Sequence, residues 1–328
     1  MAPPRGADAR PWATREDVAA AYDDPKLAQV LYHDWEAADY DEKWSISFDE
    51  RCIEYARDRF DAVVGPAVAE HEPRPYRTAL EIGAGTGFFS LNLKQAGVIR
   101  DLHVSDISPG MVQAAQDNAQ RLGFSVEGRV ADAERIPYDD DTFDLVVGHA
   151  VLHHLPDVEG ALREIVRVLR PGGRFVLAGE PTRVGHWYAR RLGRLTWEVT
   201  MALTALPVLR DRWAKAPEEL DESSRAAALE AVVDLHTFDP EELARAALRA
   251  GAVDVRTRTE ELTAALLGWP VRTFEAGVKD GVLGMGWAMF AYTWWQRLSA
   301  LDRALTGIVP ARLFYNVGIT GIAPAGPA

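Results

Sequence analysis

The segment Leu80-Glu-Ile-Gly-Ala-Gly-Thr-Gly-Phe88 constrains this chain more than any other. The apolar run from Thr78 to Ile82 predicts a buried strand, and Phe88 to Ala96 predicts a helix that stops at Gly97. Between them, glycines at 83, 85 and 87 let the backbone turn sharply and let a ligand approach where a side chain would stand in the way. Strand, glycine loop and helix open an α/β sheet of the kind that binds ligands outside the carboxyl ends of its strands. The loop alone is ambiguous, because nucleotide dehydrogenases use one as well. Its spacing is G-x-G-x-G, however, and Phe88 stands where G-x-G-x-x-G has its third glycine.

The alternation continues downstream. Strands are predicted over 102–105, 126–131, 143–148 and 174–178, and helices over 109–122 and 158–169, with Pro171-Gly172-Gly173 as a stop. Strands separated by helices in this way predict βαβ units and a parallel sheet. Asp106 ends the second strand, where a carboxylate can accept hydrogen bonds from both hydroxyls of a ribose; Asp106-Ile-Ser-Pro equally suits a helix cap. Asp132, beside Ala133, follows the third strand and is placed either to accept from the exocyclic amine of an adenine or to satisfy turn amides.

Taken in order, these features resemble the class I S-adenosylmethionine (SAM)-dependent methyltransferases, in particular the UbiE-like small-molecule branch. The match includes Asp139-Asp-Asp-Thr-Phe-Asp-Leu145 before the fourth strand, Leu152-His-His-Leu155 after it and Leu169-Arg-Pro-Gly-Gly-Arg-Phe175 before the fifth. The resemblance runs from about Thr78 to Glu180. It implies a Rossmann-like α/β sheet, parallel with an antiparallel last strand, under a helical lid. It implies SAM as cofactor and S-adenosylhomocysteine as product. It also implies that Glu81, Gly83, Ala84, Gly85, Thr86 and Gly87 surround the methionine part of SAM. Asp106 would bind the ribose, Ile107 and Met111 would flank the adenine, and Asp132 and Ala133 would meet its edge. The expected activity is methyl transfer to a small, apolar, lipid- or polyketide-like acceptor. Two other readings stay open: a non-catalytic SAM-binding scaffold, and a nicotinamide-dependent oxidoreductase, for which the loop spacing is wrong.

Methyl transfer needs an acceptor held in line with the S–CH₃ bond, and a hydroxyl acceptor also profits from a general base. The methyl is expected near the end of strand four, where His149 is the first candidate both for acid–base work and for lining the cofactor. His153, Glu180 at the end of strand five, and Tyr40 of a Tyr40-Asp-x-x-Trp44 pattern follow it. For each of them a purely structural role competes. No metal is expected, because His153 and His154 are adjacent, should diverge on a helix, and have no evident third ligand.

The flanks organise as an N-terminal helical cap (1–75), the core (76–180), a helical insertion (181–237), a core helix and strand (238–259), an aromatic helical insertion (260–312) and a last strand with its tail (313–328). If the last two strands form a hairpin, both insertions leave from carboxyl ends and, with the N-terminal helices, form a lid over the ligand edge. Its tryptophans, among them Trp187, Trp269, Trp287 and Trp295, either pack the lid down or line a deep apolar pocket; Gly281–Trp295 could also meet a dimer partner or a membrane surface. A net charge of −13 weighs against nucleic acid and against basic membrane helices. The single cysteine, Cys52, excludes an intrachain disulfide and reads as a small buried hydrophobe. Met1 to Pro11 lacks the apolar core of a signal peptide, so a cytoplasmic setting is expected, with a small-molecule substrate and a homodimer left open.

Overall fold

Seven strands form one sheet: Tyr76–Ile82 (β1), Ile99–Asp106 (β2), Glu127–Val130 (β3), Phe143–His149 (β4), Leu169–Pro181 (β5), Val253–Glu260 (β6) and Asn316–Ile322 (β7). The spatial order is β3-β2-β1-β4-β5-β7-β6. β1 to β5 pair in parallel, and β7 runs antiparallel to both of its neighbours, β5 and β6. The structure, a computed structural model, describes residues 20–21, 24–37, 40–43, 46–216, 219–220, 233–279 and 281–325; Trp44 lies outside them.

Alternation along the strands feeds two cores. Ala79, Leu145, Val147 and Val176 face helices Glu50–Val64 (α2) and Phe88–Gln95 (α3). Leu80, Val146, Phe175 and Leu177 face helices Val158–Val168 (α5) and Pro240–Arg249 (α8). A strand covered on both faces is apolar at every position, which is why these segments read as continuous hydrophobic runs. The cores fix the register, and the register fixes which residues emerge at the carboxyl edge.

Two boundaries differ from the sequence reading. β5 begins at Leu169 rather than Arg174, because Pro171-Gly172-Gly173 is absorbed as a bulge: pairing shifts from Phe143↔Leu169 to Leu145↔Arg174. The apolar stretch 51–69 is split at Gly65, whose φ of 96° ends α2 before the short turn Pro66–Ala69.

Helix Pro25–Glu36 (α1) precedes this body, and Pro109–Arg121 (α4) follows β2. Arg183–Thr204 (α6) and Pro207–Trp213 (α7) leave the end of β5. Thr263–Ala276 (α9) leaves the end of β6, and Met285–Leu305 (α10) returns the chain to β7. Thr182 caps α6 by accepting from Gly185 N at 3.0 Å. Asp302 of α10 caps α9, accepting from Thr263 N at 2.8 Å and Ala264 N at 3.0 Å, and so ties the two helices together. Among the described residues, no helix is long and apolar enough to cross a membrane.

Candidate active site

β1 delivers the chain to the glycine loop under tight packing. Gly83 has φ of 54°, and a Cβ there would stand 2.2 Å from Val151 Cγ2 of the neighbouring loop. Gly85 has φ of 52° and donates its N–H to Asp106 Oδ2 at 2.9 Å, while Ser108 N donates to Asp106 Oδ1 at 2.9 Å. The two amides fix the carboxylate at the end of β2, one lone pair per oxygen remaining. Burial pushes Asp106 up from its ordinary value and these amides oppose the shift. Glu81 is pushed up to about 8 by burial, against hydrogen bonds from the Ser90 hydroxyl and N–H. Thr86 Oγ1 is buried and has no partner among the described residues.

These groups border a cleft of about 1720 Å³ whose wall includes Glu81, Gly83, Ala84, Gly85, Thr86, Asp106, Ile107, Asp132, Ala133, His149, His153 and Tyr40. One ligand site commonly takes roughly 300–1,000 Å³, so this cleft has room for a cofactor and an acceptor. Its loop end fits SAM: a fixed carboxylate for vicinal hydroxyls, a buried acid for a cationic amine, and an unpartnered hydroxyl for a carboxylate. Three expected ligand contacts are not in the wall. Gly87 sits in the left-handed cap of α3, where a Cβ would meet Leu91 Cδ1 at 2.7 Å, so it packs helix on loop. Met111 is fully buried, and so is Glu180.

Helix α1 closes the cleft beside Asp132; an N-terminal helix over this edge is expected from the sequence, but the residues that fasten it carry no signal there. Lys26 Nζ lies 2.5 Å from Asp132 Oδ2 and 2.6 Å from Glu134 Oε2. Asp34 Oδ1 accepts from Ser108 Oγ and Gly110 N, both at 2.7 Å, and Gln29 Nε2 donates to the carbonyls of His154 (3.0 Å) and Val233 (2.7 Å). The loops after β2, β3 and β4 are thereby joined to one helix.

At the end of β4 the backbone is strained. Ala150 adopts φ of 55°, uncommon for a residue with a Cβ. The turn that follows wraps Glu180, whose Oε1 accepts from Val151 N and Leu152 N at 2.9 Å and whose Oε2 accepts from His153 N at 3.1 Å. Glu180 Oε2 also accepts from His153 Nδ1 at 2.8 Å. Four donors occupy this carboxylate, so it positions the turn and does not act as the free base that the sequence allowed. A carboxylate can only accept, so this contact calls for a proton on Nδ1 of His153.

His149 is set differently. Its ring lies among Tyr55, Phe88 and Phe89, at centroid distances of 6.3, 5.5 and 5.4 Å, and burial lowers its pKa to about 4. It is a neutral imidazole in an aromatic wall. His153 and His154 do not diverge: their ring centroids are 4.0 Å apart. Asp234 Oδ1 lies 3.7 Å from His153 Nε2 and 3.5 Å from His154 Nδ1, the third group that sequence reasoning missed. Beyond this point the cleft turns aromatic, with Tyr55, Trp269, Tyr292, Trp295 and Tyr315 in its wall.

Residues 80–177 match the family described as Methyltransferase domain. The ubiquinone/menaquinone biosynthesis C-methyltransferase UbiE of Cupriavidus metallidurans is 33% identical over 111 residues, covering 34% of this chain and 46% of the relative. A demethylmenaquinone methyltransferase of Deinococcus radiodurans is 35% identical over 115 residues, covering 35% and 48%. The chain thus spans about half the length of the curated relatives it matches. A solved Galdieria sulphuraria protein, provisionally named a sarcosine dimethylglycine methyltransferase, superposes with a TM-score of 0.51 at 13% identity, over 88% of this chain and 98% of the other. Sheet order, glycine loop and family match agree: residues 80–177 carry a methyltransferase domain, and the core around it is similar to that of the UbiE-type C-methyltransferases.

Proposed function

We propose that this chain transfers the methyl group of SAM to a small acceptor that is apolar over most of its surface and carries an acidic O–H or C–H. The observation that carries the reading is one continuous cleft, which joins the glycine loop and Asp106 to an aromatic chamber and has His149 and His153 in its wall. When bound, SAM supplies an already activated methyl on its sulfonium. Asp106 would hold the ribose hydroxyls, and Glu81 with Thr86 the amino-acid end. α1 would cover the adenosine side, and α6, α9 and α10 would serve as the lid of the acceptor chamber.

His153 is the base in this scheme. Its Nε2 would take the acceptor's proton, and Glu180, bonded to Nδ1, would stabilise the imidazolium that forms. His149 shapes the chamber as a neutral ring and excludes water from it. Its aromatic neighbours suit a flat or branched hydrocarbon acceptor.

The test is a methyl-transfer assay on phenolic, quinol and polyketide-like acceptors, read by product mass, alongside calorimetric SAM titration. His153→Ala should lower kcat by roughly 10²–10⁴-fold with SAM affinity unchanged. Binding of NAD(P) instead of SAM would sink the reading. SAM binding with no transfer to any acceptor class would leave a scaffold.

A further inference from the structure

Helix α6 has two faces. Gly185, Ala189, Thr200 and Thr204 are buried and form the inner one. Trp187, Leu195, Val199 and Leu203 are exposed on the outer one. The stripe continues through Leu206 to Val208 at the start of α7, which is 91% exposed. On the next turns Arg190 and Arg194, four residues apart, border the stripe and at the same time line the mouth of the cleft. Neither has a hydrogen bond or ion pair among the described residues. Arg191 lies over the Trp187 ring at 4.0 Å. Residues 183–215 hold seven Lys and Arg against two Asp and Glu, in a chain whose net charge is −13.

α10 repeats the arrangement. Met285, Met289, Phe290 and Trp294 are exposed, with Arg297 over the Trp294 ring at 5.5 Å, while Tyr292 and Trp295 on the other side line the cleft.

We propose that the outer face of α6 and α7, continued by α10, docks on an anionic lipid surface with the cleft mouth at the bilayer. Exposed Trp, Leu and Val fit the acyl boundary, and arginines flanking them fit lipid phosphates. The rest of the chain is acidic and is repelled by such a surface, so the concentrated positive charge sets the orientation. The whole-chain balance therefore misleads: it weighs against a membrane surface, whereas the charge of this segment favours one. A docked mouth would let an apolar acceptor enter from the bilayer without crossing water. The docking itself does not depend on methyl transfer.

The experiment is co-sedimentation of the full chain with phosphatidylcholine vesicles, with and without phosphatidylglycerol, while SAM affinity is measured on the same preparations. Binding should require phosphatidylglycerol and fall at high salt. Arg210→Gln and Arg212→Gln, two exposed arginines of α7 outside the cleft wall, should each weaken it about fivefold. The double variant Leu195→Asp, Val199→Asp should lose it while SAM affinity stays at the wild-type value, which reports an intact fold. Three results overturn the proposal: no binding to anionic vesicles, equal binding to neutral ones, or binding that survives the double variant. A dimer that the double variant converts to monomer, with no vesicle binding by the wild type, assigns the face to a second copy instead.

Discussion

Glu81→Gln isolates one buried charge. Glu81 is 1% exposed at the end of β1, ionises near 4.5 in an unfolded chain and at about 8 in the folded one, chiefly because burial disfavours its anion. The folded protein therefore binds more protons than the unfolded chain between these values. Stability from this group is fully present below pH 4.5 and is lost as pH rises toward 8. At about 1.4 kcal/mol per pH unit, the loss between pH 5 and pH 8 comes to about 3 kcal/mol. Glutamine keeps an oxygen for the Ser90 N–H and hydroxyl and has no proton to lose. Urea unfolding of both proteins, without cofactor, at a series of pH values gives the comparison. The stability of the variant relative to wild type should grow by about 3 kcal/mol from pH 5 to pH 8. Parallel curves would refute the argument that an uncompensated carboxylate is buried there. A second readout follows from the proposed function: a cationic amine beside Glu81 favours its anion, so SAM binding at pH 7 should release a proton in the wild type and none in the variant. Calorimetry in buffers of different ionisation heat measures that release.

Other perturbations test other joints. Gly83→Ala adds a Cβ 2.2 Å from Val151 Cγ2 at a φ of 54°, and should cost about 2 kcal/mol or more in thermal unfolding. Val151→Ala in the same chain should recover part of that loss, and a neutral Gly83→Ala would mean the two loops are not packed as described. His149, held to about 4 by burial, contributes stability that is present above pH 6.5 and lost as pH falls toward 4. The loss is up to about 3 kcal/mol, so His149→Phe should flatten the acid limb of the stability profile, and an unchanged limb would place that transition elsewhere.

The sheet was legible because its signals are local. Thr78–Ile82, the glycine loop and Phe88–Ala96 lie within one stretch of chain, and their apolar runs, turns and caps agree at every level. The antiparallel last strand came from the family resemblance and not from pattern, since β7 pairs with β5 across the whole second insertion. The walls of the cleft were readable in part for the same reason. Gly85 and Asp106 meet because β1 and β2 are neighbours, whereas Lys26 meets Asp132 from 106 residues away. Tyr55 sits inside an ordinary helical period, and Asp234 in a segment with no motif, so neither carried a mark. Gly87 and Met111 differ in the opposite sense: they have the spacing of ligand contacts, but the structure packs them against Leu91 and the core, outside the wall of the cleft.

The two leading histidines show why partners decide what sequence position leaves open. His149 and His153 are the same side chain, four residues apart on one edge of the sheet. Strand order alone favours His149, which ends β4 nearest the expected methyl. Its surroundings are rings, however, and a neutral imidazole pushed to about 4 gains little proton affinity from them. A base near pH 7 needs an anion that prefers its protonated form and a fixed tautomer. Glu180 is placed to give both to His153, because three backbone N–H groups of the turn hold its carboxyl group aimed at the ring. The positive φ of Ala150 is what turns those N–H groups inward. The strained residue, the buried carboxylate and the oriented imidazole are thus one device, and in the proposed reaction its base would be the histidine one turn past the strand end.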